Sequence, residues 1–263
     1  MEEYFYMGEG HERLFSVYHV PNGLQKKSNG VLICPPLGRE YLSTYKSLRI
    51  LAVKLADAGF HVLRFDYSGY GDSSGETGET KTIRTYVQNI NLCIDDFKKA
   101  CGLENIYLVG VRFSALLAMI YATLNNVEGL ALWAPVLNGN DYINELAGLQ
   151  RKFSVKSFAK FKNVSPVAKE FLGFLFSKDI IKEIKTTHYK NYCSFQNLKV
   201  LLFINPGYPV YNSMVSALSV HNEVEIKNME NVDFWLKKED DSESKAMIPY
   251  ADIITIVNWF NNG

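Results

Sequence analysis

The sequence predicts an α/β fold, a mostly parallel sheet with helices on both faces and a helical cap inserted into it. Three observations carry that prediction. Short β-rich runs alternate with amphipathic stretches of helical length, the pattern of strand–helix–strand units. The runs VLIC (31–34), NIYLVG (105–110) and VLLFI (200–204) are nearly all apolar, as strands buried on both faces are. Finally, 263 residues fit one large domain, since α/β architectures reach about 250 residues around one sheet.

The elements follow in chain order. HERLFSVYHV (11–20), with Pro21, Asn22 and Gly23 after it, reads as an antiparallel edge strand. VLIC leads to a helix over 45–58, the strand HVLRF (61–65), a helix over 80–100, the strand at 105–110, a helix over 114–125 and the strand GLALW (129–133). The alternation then stops from 137 to 198, where helical patterns without a convincing strand read as a cap. It resumes with VLLFI, EVEI (223–226) and a helix over 246–260. The expected organisation is one core domain, 1–136 and 199–263, with the cap 137–198 inserted in it.

Composition narrows the function classes. A 47% hydrophobic and 21% charged chain has the balance of a soluble globular protein. Zero net charge gives no reason to expect nucleic acid or an anionic membrane as partner, and leaves a small-molecule or protein partner as the expectation. The start, MEEYFYMGEGHERLF, has acidic residues and no long apolar run, so a cytoplasmic location is expected by default. Cys34, Cys93, Cys101 and Cys193 form no CxxC pair. Cys93 and Cys101 lie on one predicted helix about 12 Å apart, too far to bridge, and all four are expected to be reduced. Neither the His nor the Cys spacing makes a metal site. The glycine-rich run from Asp66 to Gly75 lacks the strand-to-helix context of a dinucleotide motif, so no cofactor is expected. Within the cap, 151–190 carries ten Lys and Arg against Glu170, Asp179 and Glu183. That run reads as solvated helix faces or as a surface for an acidic ligand, such as a carrier-bound thioester.

The most informative stretch is ENIYLVGVRFSALLAMIYATL (104–124), a buried strand entering a helix through G-V-R-F-S-A. In a nucleophile elbow, G-x-S-x-G, the central residue occupies a strained turn whose neighbours must be small. Gly110, Ser114 and Ala115 meet that need, while Arg112 stands at the centre. With this elbow, the block VLICPPLGREYLSTYKSLRILAVKLADAGFHVLRFDYSGYGDSSGET (31–77) resembles the oxyanion strand and loop, first helix and G-x-G-D-S-x-G turn of the α/β-hydrolases. LWAPVLNG (132–139) is similar to the strand-to-cap transition of the serine aminopeptidase-like, exosortase A system-associated subgroup. The resemblance implies oxyanion donors at the backbone N–H of Phe113 and in the Pro36–Leu37–Gly38–Arg39 loop, so that Leu37, Gly38, Phe113 and Arg112 would line the binding site. It also implies a degenerate triad. After VLLFINPGYPV the family's Asp position before Pro holds Tyr208, and in E-N-V-D-F Asp233 stands where histidine is expected.

Acyl cleavage in this fold needs a hydroxyl or thiol, a base and oxyanion donors. Arg112 cannot be that nucleophile, because its guanidinium stays protonated. A cation at a helix N-terminus is itself unfavourable by about 0.3–1 kcal/mol, so a partner is expected. Asp233 could supply it as an internal plug, or a ligand carboxylate or phosphate could, making Arg112 an anion anchor. Ser114 and Cys34 are the candidates for a relocated nucleophile, but Ser114 reads as a packing residue and Cys34 as a buried hydrophobe. Glu40, next to the oxyanion loop, reads as a structural partner or an acid–base group. Of the histidines, only His188, in the cap, could lean over a pocket. Three functions stay open: a pocket protein that binds an acyl or carboxylate molecule without hydrolysing it; a non-hydrolytic lyase, cyclase or acyltransferase using Arg112, Tyr208, Asp233 or Glu40; and a hydrolase with a moved nucleophile.

Overall fold

The structure, a computed structural model, describes residues 1–10, 12–23, 27–79, 81–156, 168–205, 207–230, 235 and 248–262, without the side chains of 153–156. Among the described residues, ten strands form in chain order: β1 (Glu2–Met7), β2 (Leu14–His19), β3 (Asn29–Cys34), β4 (His61–Phe65), β5 (Asn105–Val111), β6 (Gly129–Trp133), β7 (Ala168–Phe171), β8 (Phe174–Ser177), β9 (Lys199–Ile204) and β10 (Glu223–Asn228). The helices are α1 (Arg39–Asp57), α2 (Ile83–Cys101), α3 (Phe113–Leu124), α4 (Gly139–Lys156), α5 (Lys178–Thr186), α6 (Tyr211–Leu218) and α7 (Tyr250–Asn262), with a 3-10 turn at Tyr189–Tyr192.

Eight strands make one sheet in the order β1-β2-β4-β3-β5-β6-β9-β10. From β4 to β10 they run parallel, and β1 and β2 pair antiparallel. Side chains alternate between two cores, as a pleated strand requires. On β5, Ile106 and Leu108 enter the core shared with α2, α3 and α6, while Tyr107, Val109 and Val111 enter the one shared with α1 and α7. Burial on both faces is why these strands read as continuous apolar runs.

The strand order reverses between β3 and β5: the chain moves one way from β3 to β4 and the other way from β5 to β6. Open α/β sheets bind ligands at such a switch point, outside the C-terminal strand ends. Cys34 pairs with Gly110 across this boundary, so the loop after β3 and the turn after β5 emerge side by side. The glycine-rich turn braces the same edge. Asp66 accepts hydrogen bonds from Tyr41 Oη (2.8 Å) and the Asp72 N–H (3.1 Å), and a Cβ at Gly71 would collide with its Oδ2, so this turn holds the first turn of α1 in place.

Several expectations need correction. The strand at 11–20 is antiparallel but not an edge, because β1 pairs along its outer side. β1 is hard to read because half of its EEYFYM residues are exposed and the sequence does not alternate cleanly. The inserted segment 137–198 is not wholly helical. Phe171 pairs with Phe174 across Leu172 (φ 54°) and Gly173 (φ 88°), and the two positive φ values close a tight antiparallel hairpin. The helix α6 was also missed. All four cysteines are free thiols. Among the described residues, no helix is long and apolar enough to cross a membrane, and no three His, Cys, Asp or Glu gather as metal ligands.

Two predictions follow from this packing. A Cβ at Gly110 would lie 2.6 Å from Ala115 Cα and 2.8 Å from the Ser114 carbonyl oxygen, both backbone atoms that cannot yield cheaply. Gly110→Ala should lower unfolding free energy by about 1–3 kcal/mol in urea denaturation. The second concerns His19, buried on β2, where it accepts from Arg64 Nε at 3.0 Å. Burial, aided by the Arg64 charge and opposed by Glu2, lowers its pKa from 6.5 to about 4. The unfolded chain therefore takes up a proton near 6.5 that the folded one refuses until about 4. This contribution to stability is complete above 6.5 and is lost as pH falls toward 4. Thermal melts of His19→Gln should show a shallower acid decline than the parent.

Candidate active site at the strand-to-helix elbow

Arg112 is the N-cap residue of α3, with φ 55° and ψ −122°. A non-glycine residue at positive φ costs of order 1–3 kcal/mol, and it persists because the surroundings fix it. The Arg112 N–H donates to the Trp133 carbonyl (3.0 Å), and its carbonyl accepts from the Ala115 (3.1 Å) and Val136 (3.2 Å) N–H groups. The result is the sharp elbow predicted from G-V-R-F-S-A, with the Arg112 side chain directed over the switch point.

The Arg112 side chain is 8% exposed, and its guanidinium is engaged on two sides. Nε donates to Glu40 Oε1 at 2.8 Å. Nη2 donates to Glu145 Oε1 at 3.0 Å and Oε2 at 2.8 Å. Glu40 sits in the first turn of α1, where the helix dipole favours a carboxylate, and its other oxygen accepts from Tyr142 Oη at 3.1 Å. Tyr142 and Glu145, three residues apart, share one face of α4. Tyr142 stacks on Phe113 with centroids 5.5 Å apart. The Arg112 guanidinium carbon lies 4.5 Å from the Trp235 ring centroid and 5.8 Å from that of Tyr142.

Burial pushes the Glu40 carboxyl up from its ordinary value, while Arg112 and Tyr142 pull it back. Desolvation would lower the Arg112 pKa, but the Glu40 and Glu145 carboxylates raise it instead. Arg112 therefore stays charged, and the Tyr142 hydroxyl, raised by burial and by Glu40, stays protonated as a donor.

The other candidates fall out as follows. Leu37, Gly38 and Phe113 are buried beside the elbow, and Phe113 opens α3, whose first N–H groups have no intrahelical acceptors. Phe176 of β8 packs against Gly38, where a Cβ would lie 3.0 Å from its ring, so the inserted hairpin covers this loop. Ser114 is fully buried and donates to the Pro35 carbonyl at 2.6 Å. Cys34 is fully buried, and burial raises its thiol to about 12.

Tyr208 is 56% exposed and is not brought to Arg112. Tyr211, one turn later, lies closer: its hydroxyl, raised by burial and lowered by the Arg112 charge, donates to the Pro135 carbonyl at 3.2 Å. Asp233, expected as the partner of Arg112, lies outside the described residues, and the carboxylates seen on Arg112 are those of Glu40 and Glu145. His61, at the start of β4, His19, which pairs with Val62, and His221, just before β10, sit at the opposite end of the sheet from the elbow. His188 caps the 3-10 turn, accepting from the Lys190 N–H at 3.2 Å, and does not lean over the site.

Sequence reasoning found Arg112 and Glu40 and missed Tyr142, Glu145, Tyr211 and Trp235. The available signal was the Tyr-x-x-Glu spacing in the first helix after LWAPVLNG, beside the apolar positions Ile143 and Leu146.

The two carboxylates differ in setting. The side chain of Glu40 is 2% exposed and that of Glu145 is 39% exposed. Removing one partner from a buried ion pair costs about 3–5 kcal/mol, while an exposed pair contributes about 0–1 kcal/mol. Urea denaturation should therefore show Glu40→Ala losing about 3–5 kcal/mol and Glu145→Ala no more than about 1 kcal/mol. Equal losses would contradict this assignment.

Three comparisons bear on this geometry. A family model described as serine aminopeptidase S33 matches residues 32–196. No curated protein matches the chain. Among solved structures, Est1E from Butyrivibrio proteoclasticus with ferulic acid bound is 14% identical, with TM-score 0.64 and 98% of each chain covered. The Pyrococcus furiosus esterase Pf2001 is 13% identical, with TM-score 0.64, covering 100% of this chain and 92% of that one. Proline iminopeptidase from Mycobacterium smegmatis is 10% identical, with TM-score 0.65, covering 99% and 98%. At these identities the likeness is one of fold.

Proposed function

The chain belongs to the serine aminopeptidase S33 family of the α/β-hydrolase fold, and from that premise we propose that it is a non-hydrolytic member, binding a small acyl, carboxylate or thioester-type molecule with Arg112 as anion anchor. In this reading residues 137–198 are a cap over a core of 1–136 and 199–263, and the protein works in the cytoplasm with its thiols reduced. A carrier-bound thioester is a variant of the same ligand class, its acidic carrier meeting the basic face of 151–190. Of that stretch, residues 157–167 and the side chains of 153–156 lie outside the described part.

One observation carries the reading: a permanently charged guanidinium, buried and held by two carboxylates, occupies the elbow position from which this fold presents its nucleophile. A guanidinium can neither attack a carbonyl nor be activated by a base. It can fork onto a carboxylate, beside the N–H groups of Phe113 and Ser114, the first of α3, which have no intrahelical acceptor. The relocated-nucleophile reading is weakened, since the Ser114 hydroxyl is committed to a buried carbonyl and Cys34 is far from a thiolate at neutral pH. A non-hydrolytic lyase, cyclase or acyltransferase is the second reading. The raised, buried carboxyl of Glu40 favours it, as such groups serve as acids where the chemistry needs one.

The test has two arms. Purified protein should neither turn over p-nitrophenyl esters nor take a fluorophosphonate label, while calorimetry detects binding of simple carboxylates, with ferulate and benzoate as probes. Arg112→Lys keeps the charge partner of Glu40 but loses the planar fork, and should weaken that binding at least about tenfold. Labelling at Ser114 would sink the proposal. Product formation that depends on Glu40 would favour the second reading.

A further inference from the structure

We infer that Glu145 is a built-in stand-in for the ligand: its carboxylate occupies the side of the Arg112 guanidinium that the bound molecule's carboxylate takes, and the two exchange by rotation of the Glu145 side chain. This rests on the reading of Arg112 as an anion anchor.

The two carboxylates on Arg112 are unequal. Glu40 is enclosed, backed by the Tyr142 hydroxyl and seated at the N-terminus of α1. Glu145 is two-fifths exposed, and among the described residues it accepts from Arg112 alone, both oxygens facing Nη2. One rotamer change takes it into water. The helix need not follow, because α4 is held by other contacts. Tyr142 stacks on Phe113, Ile143 and Leu146 are buried, and Gly139 lies so close to the Ile184 carbonyl that a Cβ would collide with it.

The geometry also selects the ligand class. Exchanging one carboxylate for another leaves the charge around Arg112 unchanged. A phosphate dianion in the same place would add a negative charge beside the buried Glu40, whose carboxyl burial already pushes toward the neutral form. The rings of Trp235 and Tyr142 flank the guanidinium and are themselves buried, so they fix its direction and leave the side held by Glu145 as the one open to a ligand. The class that fits is a monocarboxylate.

Calorimetric titration of the full chain with benzoate and with phenyl phosphate, in the parent protein, Glu145→Gln and Glu145→Ala, tests the exchange. Circular dichroism melts confirm that each variant is folded. An internal competitor scales apparent affinity by the fraction of time it leaves the site open, so a tenfold effect means that Glu145 fills the site about nine-tenths of the time. Benzoate should therefore bind about tenfold more tightly to both Glu145 variants than to the parent, and phenyl phosphate more weakly than benzoate throughout. Adding Arg112→Lys to Glu145→Ala should abolish the gain. Benzoate binding that is unchanged or weakened in the Glu145 variants, yet lost in Arg112→Lys, would overturn the exchange and leave the anchor standing. Stronger binding of phenyl phosphate would overturn the ligand class. No benzoate binding to any of these proteins would overturn both the exchange and the anchor.

Discussion

Arg112 stands at the N-terminus of α3 and Glu40 in the first turn of α1, two helices that start side by side because β3 and β5 are neighbours at the point where strand order reverses. A cation at a helix start works against the dipole, and a carboxylate there works with it. The pair Arg112 Nε to Glu40 Oε1 thus offsets one unfavourable placement with a favourable one. It also ties the loop after β3 to the turn after β5. Tyr142 then ties the inserted segment to the same point, with its hydroxyl on Glu40 and its ring on Phe113. Loss of the pair would leave two helix starts and α4 without their common contact.

A buried ion pair is weak evidence for stability, because desolvating the two charges can cancel their attraction. An apolar residue at position 112 could fill the same volume without that cost. The elbow also holds its central residue at φ 55°, which any L side chain tolerates poorly. Both costs are carried at one residue. Strain and buried charge are thus concentrated at the C-terminal ends of the strands, where open α/β sheets place their sites.

Much of the sheet was legible in the sequence because its central strands are buried on both faces, which writes them as unbroken apolar runs. HVLRF and GLALW coincide with β4 and β6 for that reason. The outer elements were harder. EEYFYM is solvated, and the FLGFLF run that holds the β7–β8 turn reads as one apolar stretch, because Leu172 does not advertise a positive φ as asparagine would. The same limit applies at the site. Arg112 and Glu40 could be placed from the motifs around them. Tyr208 could not, since the loop after β9 turns it outward to 56% exposure and brings Tyr211 inward instead. Glu145 lies 33 residues beyond Arg112 in a helix whose one local signal is the Tyr-x-x-Glu spacing, which does not say what the helix faces, and the packing of α4 across the elbow brings the two together.

Whether Arg112 is a plug or an anchor depends on how its partners are held. A plug needs every partner to be as enclosed as the charge it neutralises, since any exposed partner can be replaced by an anion from solution. An anchor needs one enclosed partner, so that the guanidinium keeps its charge and direction, and one expendable partner. Glu40 has the first character, with its carboxylate braced by Tyr142 and shielded from water. Glu145 has the second, with its side chain reaching from a fixed helix to the solvent edge. In the proposed reading, Glu145 fills the guanidinium when no ligand is present and yields it when one arrives. In the proposed anchor the buried charge would not be left bare, and the backbone hydrogen bonds of Arg112 to Trp133 and Val136 fix the elbow that aims it.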